Sequence, residues 1–222
     1  ADIGIVGENV LVESNKQVDE VLKMGFGKCR LSLAVPRNMN YTSVTDLDGK
    51  AIATSYPRIL QNYLEANNVK AAIHVISGSV EIAPGIGLAD AICDIVSTGS
   101  TLLSNGLKEV EQIFQSQAVM IKNKNLSVDK QNILNQLLFR LEAVKRAQKN
   151  KYILLNAPNE SLPKIVQLLP GINAPTVQAL SKQGWSSVHS VITEKDFWEK
   201  IQQLKDAGAE GILVMPIEKM IY

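Results

Sequence analysis

Between Gly87 and Thr101 the chain reads Gly-Leu-Ala-Asp-Ala-Ile-Cys-Asp-Ile-Val-Ser-Thr-Gly-Ser-Thr. Asp90 and Asp94 bracket a short apolar run. That run empties into Ser97, Thr98, Gly99, Ser100 and Thr101 before Leu102-Leu103 opens a helix. Such a segment is suited to hold an anion: small residues let backbone N–H groups approach phosphate oxygens, hydroxyls add donors, and a helix N-terminus adds a favourable dipole. A carboxylate at a strand end can bind sugar hydroxyls, as an acidic residue does for ribose in dinucleotide folds. Together these residue types describe a pocket for a phosphorylated ribose. The loop is neither a Walker sequence nor Gly-x-Gly-x-x-Gly, and a Ser/Thr/Gly cluster after a strand is also what an ordinary turn uses. Asp90 and Asp94 would share one face of a strand, where a solvated edge accounts for them equally well.

Further candidates sit at turns. Thr54, Ser55 and Tyr56 precede Pro57 at a helix start, where a pyrophosphate or nucleotide could dock and where plain capping also fits. Glu81 follows the Gly78-Ser79 turn, and Glu8 follows Gly7 at a strand end. The only histidines, His74 and His189, fall in strand-like segments of different domains, so no Ser–His–Asp set is offered and both read as structural. Cys29 and Cys93 lie in apolar segments without metal-ligand spacing and read as buried structural thiols.

The elements that must position these residues follow from hydrophobic pattern. Strand signals fall at Asp2–Val6, Arg30–Val35, Ala51–Thr54, Ala71–Ile76, Ala91–Val96 and Val110–Ile121, with helical stretches at Pro57–Ala66 and Lys130–Asn150. Their alternation predicts an α/β sheet of largely parallel strands. The opening run reads as a strand buried on both faces, which needs neighbours on either side and points to a front segment absent from this sequence. Lys130–Ala147 carries Ile133, Leu137, Leu138, Leu141 and Val144 at helical spacing. Beyond it, Tyr152–Asn156, Ser161–Leu169, Thr176–Leu180, Ser187–Ile192, Glu194–Ala207 and Gly211–Met215 give a βαββαβ order, the ferredoxin-like arrangement. Gly208 reads as the C-cap of the second helix.

With 222 residues the chain is long enough for two domains, and 45% hydrophobic content with 20% charge is ordinary globular usage. A net charge of +1 leaves no broad basic field for nucleic acid. Apolar runs are strand-length, short of a membrane span, and the two cysteines suit a reducing cytoplasm. Trp185 and Trp198 read as core or subunit contacts.

The ordered set Asp2–Leu11, Ala53–Pro57, Gly78–Glu81, Gly87–Thr101 and Leu213–Met220 resembles the ATP phosphoribosyltransferase family, first enzymes of histidine biosynthesis, in its long hexameric form. The resemblance runs from residue 1 to residue 222. It implies a bilobal, periplasmic-binding-protein-like (type II) catalytic core followed by a regulatory ferredoxin-like domain. Residues 1–26 would form part of lobe I, 27–106 lobe II, 107–150 the return to lobe I with a connecting helix, and 151–222 the histidine-binding domain. It implies condensation of ATP, through N1 of adenine, with phosphoribosyl pyrophosphate, aided by Mg²⁺. Asp90 and Asp94 would be catalytic, and Ser97, Thr98, Gly99, Ser100 and Thr101 would take the 5′-phosphate. Glu8, Thr54, Ser55, Tyr56 and Glu81 would meet ATP or pyrophosphate, and Thr176 would meet histidine. No metal ligand is assigned. The expected partners are the two substrates, histidine as inhibitor and five further copies in a hexamer built from dimers, with no nucleic acid or membrane. A non-catalytic solute- or amino-acid-binding module of bilobal type is the alternative.

Overall fold

Short apolar runs separated by glycine- and asparagine-rich turns gather the first 127 residues of the computed structural model around two sheets; residues 1–221 are described in all. In chain order this unit holds β1 (Ile3–Gly7), α1 (Glu8–Ser14), β2 (Val18–Lys23), β3 (Cys29–Pro36), β4 (Ala51–Thr54) and α2 (Pro57–Ala66). It continues with β5 (Ala72–Val75), β6 (Ala91–Val96), α3 (Ser100–Ser104), β7 (Leu107–Ser116) and β8 (Ala118–Asn123). One sheet has the order β1-β8-β2, the other β5-β4-β6-β3-β7.

The five-stranded sheet is covered on both faces, which is why β3 and β6 read as nearly unbroken apolar runs. Leu31, Leu33, Val35, Ile52 and Cys93 pack with Ile59, Leu60 and Leu64 of α2. Ala34, Ala53, Ile92 and Val96 pack on the opposite face with Val80, Leu102 and Leu107. Each fully buried Leu or Ile contributes about 1.5–3 kcal/mol relative to exposure.

The expected parallel sheet is only partly found. β4 runs parallel to β5 and to β6, but β3 lies antiparallel between β6 and β7, and the three-stranded sheet is antiparallel throughout. The β6–α3–β7 crossover does join like-directed strands, as the alternation of elements suggests. What the alternation conceals is β3, inserted between them in the opposite sense.

Two other expectations are corrected. Val110–Ile121 is not one strand: β7 pairs with β3, β8 pairs with β1 and β2, and the chain crosses between sheets at Gln117. Leu107–Ser116 thus belongs to the five-stranded sheet rather than to the return toward the other lobe. β1 is an edge strand among the described residues, with Ile5 54% exposed. Beside Gln117 runs the other crossing, Met24–Lys28, held by Met24 N–H to Ala118 O (2.9 Å) and Ala118 N–H to Phe26 O (2.9 Å). Gly27 turns there at φ +62, in the region where a side chain would be strained.

The second unit begins at Val128. A long helix, α4 (Val128–Gln148), leads to β9 (Asn150–Pro158), α5 (Leu162–Leu168), β10 (Thr176–Ala179), β11 (Trp185–Thr193), α6 (Glu194–Asp206) and β12 (Glu210–Pro216). The antiparallel sheet order is β10-β11-β9-β12, the split βαβ arrangement expected. Ile153, Leu155, Ala157 and Val188 meet Ile165 and Leu204 of the two helices in its core. Thr193 caps α6, accepting from Asp196 N–H at 3.1 Å, and Gly208 follows the helix with φ +84. On α4 the buried positions are Leu134, Ala143 and Ala147, whereas Ile133 and Val144 of the expected stripe are exposed.

Candidate functional site

The parallel strands β4, β5 and β6 end on one edge of the five-stranded sheet, and β4 lies where the chain order reverses between β5 and β6. In open α/β sheets that is where ligands bind. Three segments converge there: Thr54-Ser55-Tyr56 after β4, Ile76–Glu81 after β5 and Ser97–Thr101 after β6. A cavity of about 250 Å³ is lined by Glu81, Asp94, Ser97, Thr98, Gly99 and Thr101 with apolar neighbours.

The loop itself is shaped as the sequence suggests. Gly99 precedes α3 with φ +81 and ψ 0, a left-handed conformation that a Cβ would strain by about 1–2 kcal/mol. Thr98 and Ser100 hydroxyls stand 3.0 Å apart. Among the described residues the Thr98 and Gly99 N–H groups donate to no protein acceptor. They are open donors beside two hydroxyls.

Asp94 lies on the same sheet face as its cross-strand partner Ser32 and accepts from its neighbour's amide, Ile95 N–H, at 2.8 Å. Burial pushes its carboxyl above the ordinary value of 3.8, and the negative charge of Glu81 pushes in the same direction. Two carboxylates therefore face one cavity, the arrangement that suits a cation or sugar hydroxyls.

The structure separates Asp90 from this group. It precedes β6 whereas the loop follows it, so six strand residues put them roughly 20 Å apart at about 3.3 Å each. Its carboxylate accepts from Ala51 N–H at 2.9 Å while its own N–H donates to Ala51 O at 2.8 Å. Asp90 ties β6 to β4 at the far end of the sheet.

Other predicted residues divide similarly. Thr54 is fully buried, and its hydroxyl accepts from Tyr56 N–H at 2.9 Å, a local turn bond. The Ser55 hydroxyl donates to Ile76 O at 2.7 Å and lies 3.5 Å from Gly78 N, so it holds the turn that carries Glu81. Tyr56 stands between Asn9 and Asp94: burial raises its phenol, the Asn9 hydrogen bond opposes this, and Asp94 adds to the rise. Glu8, the first residue of α1, pairs with Lys23 at the end of β2 at 2.8 Å and does not line the cavity.

The α2 start is not an open anion seat. Glu13 of α1 occupies it, accepting from Arg58 N–H at 2.9 Å and Ile59 N–H at 3.1 Å. Sequence reasoning missed this carboxylate and also missed Asn9, buried with its Oδ1 accepting from Ser116 Oγ at 2.8 Å. Arg30 went unnoticed too. Its Nε and Nη2 fork onto Glu109 at 2.6 Å each, and its Nη1 donates to Ser97 O at 3.1 Å.

Cys93 is buried, which raises its thiol and leaves it inert, whereas Cys29 is only half-buried. His74 is exposed on β5. His189 bonds the Tyr152 hydroxyl through Nδ1 (2.7 Å) and Ser187 through Nε2 (3.1 Å), a structural network on the second unit's sheet. Thr176, exposed on the edge strand β10, lies opposite His189 in register. Trp198 is 67% exposed rather than in a core.

Comparison with known proteins fits this geometry. Residues 1–143 match the family described as HisG: ATP phosphoribosyltransferase, and residues 147–219 match HisG, C-terminal domain. The ATP phosphoribosyltransferase of Cytophaga hutchinsonii is 60% identical over 221 residues, covering 100% of this chain and 77% of the relative. That of Phocaeicola vulgatus is 58% identical, covering 100% and 78%. Among solved structures, the ATP phosphoribosyl transferase (HisG:HisZ) complex from Thermotoga maritima superposes with a TM-score of 0.55 at 31% identity, over 62% of this chain and 67% of that one. XAC2383 from Xanthomonas citri bound to ATP shares the fold alone, with a TM-score of 0.50 at 14% identity over 66% and 64% of the two chains. No helix among the described residues is long and apolar enough to cross a membrane. The chain belongs to the ATP phosphoribosyltransferase family, pentosyltransferases that take the first step of histidine biosynthesis.

Proposed function

We propose that the cavity after β4 and β6 is where phosphoribosyl pyrophosphate binds and meets ATP. The observation that carries this reading is the convergence of Asp94, Glu81 and the open-amide loop Ser97–Thr101 in one 250 Å³ cavity. The 5′-phosphate seats on the Thr98 and Gly99 amides with the Ser97, Thr98, Ser100 and Thr101 hydroxyls around it. Asp94 takes the ribose hydroxyls and stabilises positive charge that develops on the sugar as pyrophosphate departs. The adenine N1 attacks the anomeric carbon from the opposite side as the carbon–oxygen bond to pyrophosphate breaks, so configuration inverts. Nothing in this displacement requires a covalent enzyme intermediate, and the cavity offers no nucleophile paired with a base.

Glu81 and Asp94 fit a Mg²⁺ ion carried by substrate. The donors are hard carboxylate oxygens, and Mg²⁺ commonly uses one or two carboxylates together with phosphate oxygens. No group of three or more His, Cys, Asp or Glu side chains that could hold a metal by themselves occurs among the described residues. When bound, the ion supplies charge neutralisation for the leaving pyrophosphate. Tyr56 lines the approach to Asp94 on the nucleotide side, and Ser55 fixes the Glu81 turn. Asp90, Glu8 and Thr54 take no part.

In the second unit we assign histidine binding to the sheet face that carries Thr176, with feedback inhibition and a cytoplasmic hexamer of this chain. The match of residues 147–219 to the family's C-terminal domain supports the assignment. The non-catalytic module is not favoured, since likeness at 14% identity concerns fold alone whereas relatives near 60% identity are enzymes. Steady-state kinetics of Asp94→Asn test the catalytic site: turnover collapses with the fold intact, and unchanged rates would remove the assignment. Calorimetric titration of histidine into wild type and Thr176→Ala tests the second.

A further inference from the structure

We infer that Arg30 is a positioning residue for phosphoribosyl transfer: it pins the entry of the phosphate loop through the Ser97 carbonyl. This rests on the reading of Ser97–Thr101 as the 5′-phosphate seat, and names the group that holds that seat in place.

Three strands contribute. Arg30 on β3 pairs in register with Val96, the last residue of β6, and with Gln115 of β7. Beyond Val96 the strand leaves the ladder, and the loop's first carbonyl, Ser97 O, is taken by the Arg30 side chain at 3.1 Å. The guanidinium thus continues the β3–β6 pairing one residue past the end of the strand.

The guanidinium is itself held. Its Nε and Nη2 donate to the two oxygens of Glu109 at 2.6 Å, and Ser32 Oγ donates to the same carboxylate at 2.7 Å. A planar fork bonded on one edge has its third nitrogen fixed in direction, which a lysine ammonium cannot reproduce. Because Glu109 neutralises the charge, Arg30 does not serve as the phosphate's counter-ion. Its Ser97 bond sets where the Thr98 and Gly99 amides point. Misplacing such groups by about 1 Å is enough to lose on the order of a hundredfold in rate.

The test compares Arg30→Lys with Glu109→Gln, which loosens the guanidinium from its far end, and with Thr98→Val in the loop itself. Backbone ¹⁵N order parameters across Ser97–Thr101 are expected to fall from about 0.85 to below about 0.6 in the first two, because the Ser97 carbonyl loses its anchor. Order parameters in the β3–β6 ladder stay as in the wild type. The KM for phosphoribosyl pyrophosphate is expected to rise about ten-fold in the same variants while that for ATP stays within about two-fold, a split that general destabilisation would not give. Unchanged loop order parameters in both Arg30→Lys and Glu109→Gln overturn the positioning role whatever the loop binds. A raised KM in Thr98→Val beside an unmoved one in Arg30→Lys overturns it while leaving the loop reading intact. Lowered loop order with no change in KM for the activated sugar in any of the three variants ends both.

Discussion

Glu13 seats its carboxylate on the Arg58 amide, 2.9 Å from the nitrogen, and reaches the next amide of α2 with its other oxygen. The donor helix carries the residue that caps it in a different element, α1, 45 residues earlier in the chain. A negative group at a helix start satisfies unpaired N–H groups and meets the positive end of the helix dipole. Glu13→Ala is expected to lower stability by about 1–2 kcal/mol, within the range of a lost N-cap, as measured by urea unfolding. An unchanged midpoint would show that the contact contributes nothing.

Asp94 and Asp90 should part company under mutation. Asp94→Asn is expected to reduce kcat by about a hundredfold or more, the scale of removing a charge stabiliser from a reacting centre. Asp90→Ala is expected to keep kcat within about two-fold and to lower stability by about 1 kcal/mol for the lost bond to Ala51. Equal loss of turnover in both would contradict the separation along β6.

The same Asp94→Asn change carries a stability prediction of opposite sign. A carboxyl whose folded-state value is raised stabilises the fold only in its protonated form. That contribution is present below 3.8 and is lost as pH rises through the folded value, so at neutral pH the ionised Asp94 weighs against folding. Melting at pH 7 should therefore be unchanged or higher in the Asn variant. A lower melting temperature would mean that the ionised carboxylate holds the fold together.

Tyr41 and Tyr63 both donate to Glu111, one to each oxygen, tying the loop before β4 and the helix α2 to β7. Burial first, and the carboxylate second, raise both phenols well above their ordinary 10.0. Stability from these groups is fully present below pH 10.0 and falls as pH rises beyond it, because the unfolded chain ionises first. Alkaline titration should show tyrosinate absorbance from this pair only together with loss of the native circular dichroism. Ionisation of the pair in a folded molecule near pH 10 would refute the arrangement.

Gly99→Ala places a side chain at φ +81 and should strain the loop by about 1–2 kcal/mol. The expected outcome is a weaker phosphoribosyl pyrophosphate affinity, read by calorimetry, with overall melting shifted only slightly. Unaltered affinity would remove the loop from the substrate site.

Local chemistry was the legible part of this chain. β4, α2 and β6 lie at the bounds expected, because Pro57 starts a helix and each strand is short, apolar and ended by hydroxyl residues. The βαββαβ order of the second unit was legible for the same reason. Direction and partnership were not: nothing in Arg30–Val35 shows that this strand inserts antiparallel between two others, and Val110–Ile121 carries no signal strong enough to mark the crossing at Gln117. Asp90 and Asp94 look equivalent in sequence, and only strand polarity assigns them to opposite ends of a sheet. Asn9 and Ser116 are 107 residues apart, and Arg30 and Glu109 are 79 apart, so their pairing leaves no trace in spacing.

The two passes between sheets, at Met24–Lys28 and at Gln117, run side by side and are stitched by main-chain bonds. A doubled strap of this kind bends about one line far more readily than it twists, so the lobes have essentially a single soft coordinate, a hinge. Swinging along it separates α1 from α2 and pulls Glu13 off its amides, so the Glu13 carboxylate, together with the Asn9–Ser116 bonds nearer the strap, resists opening.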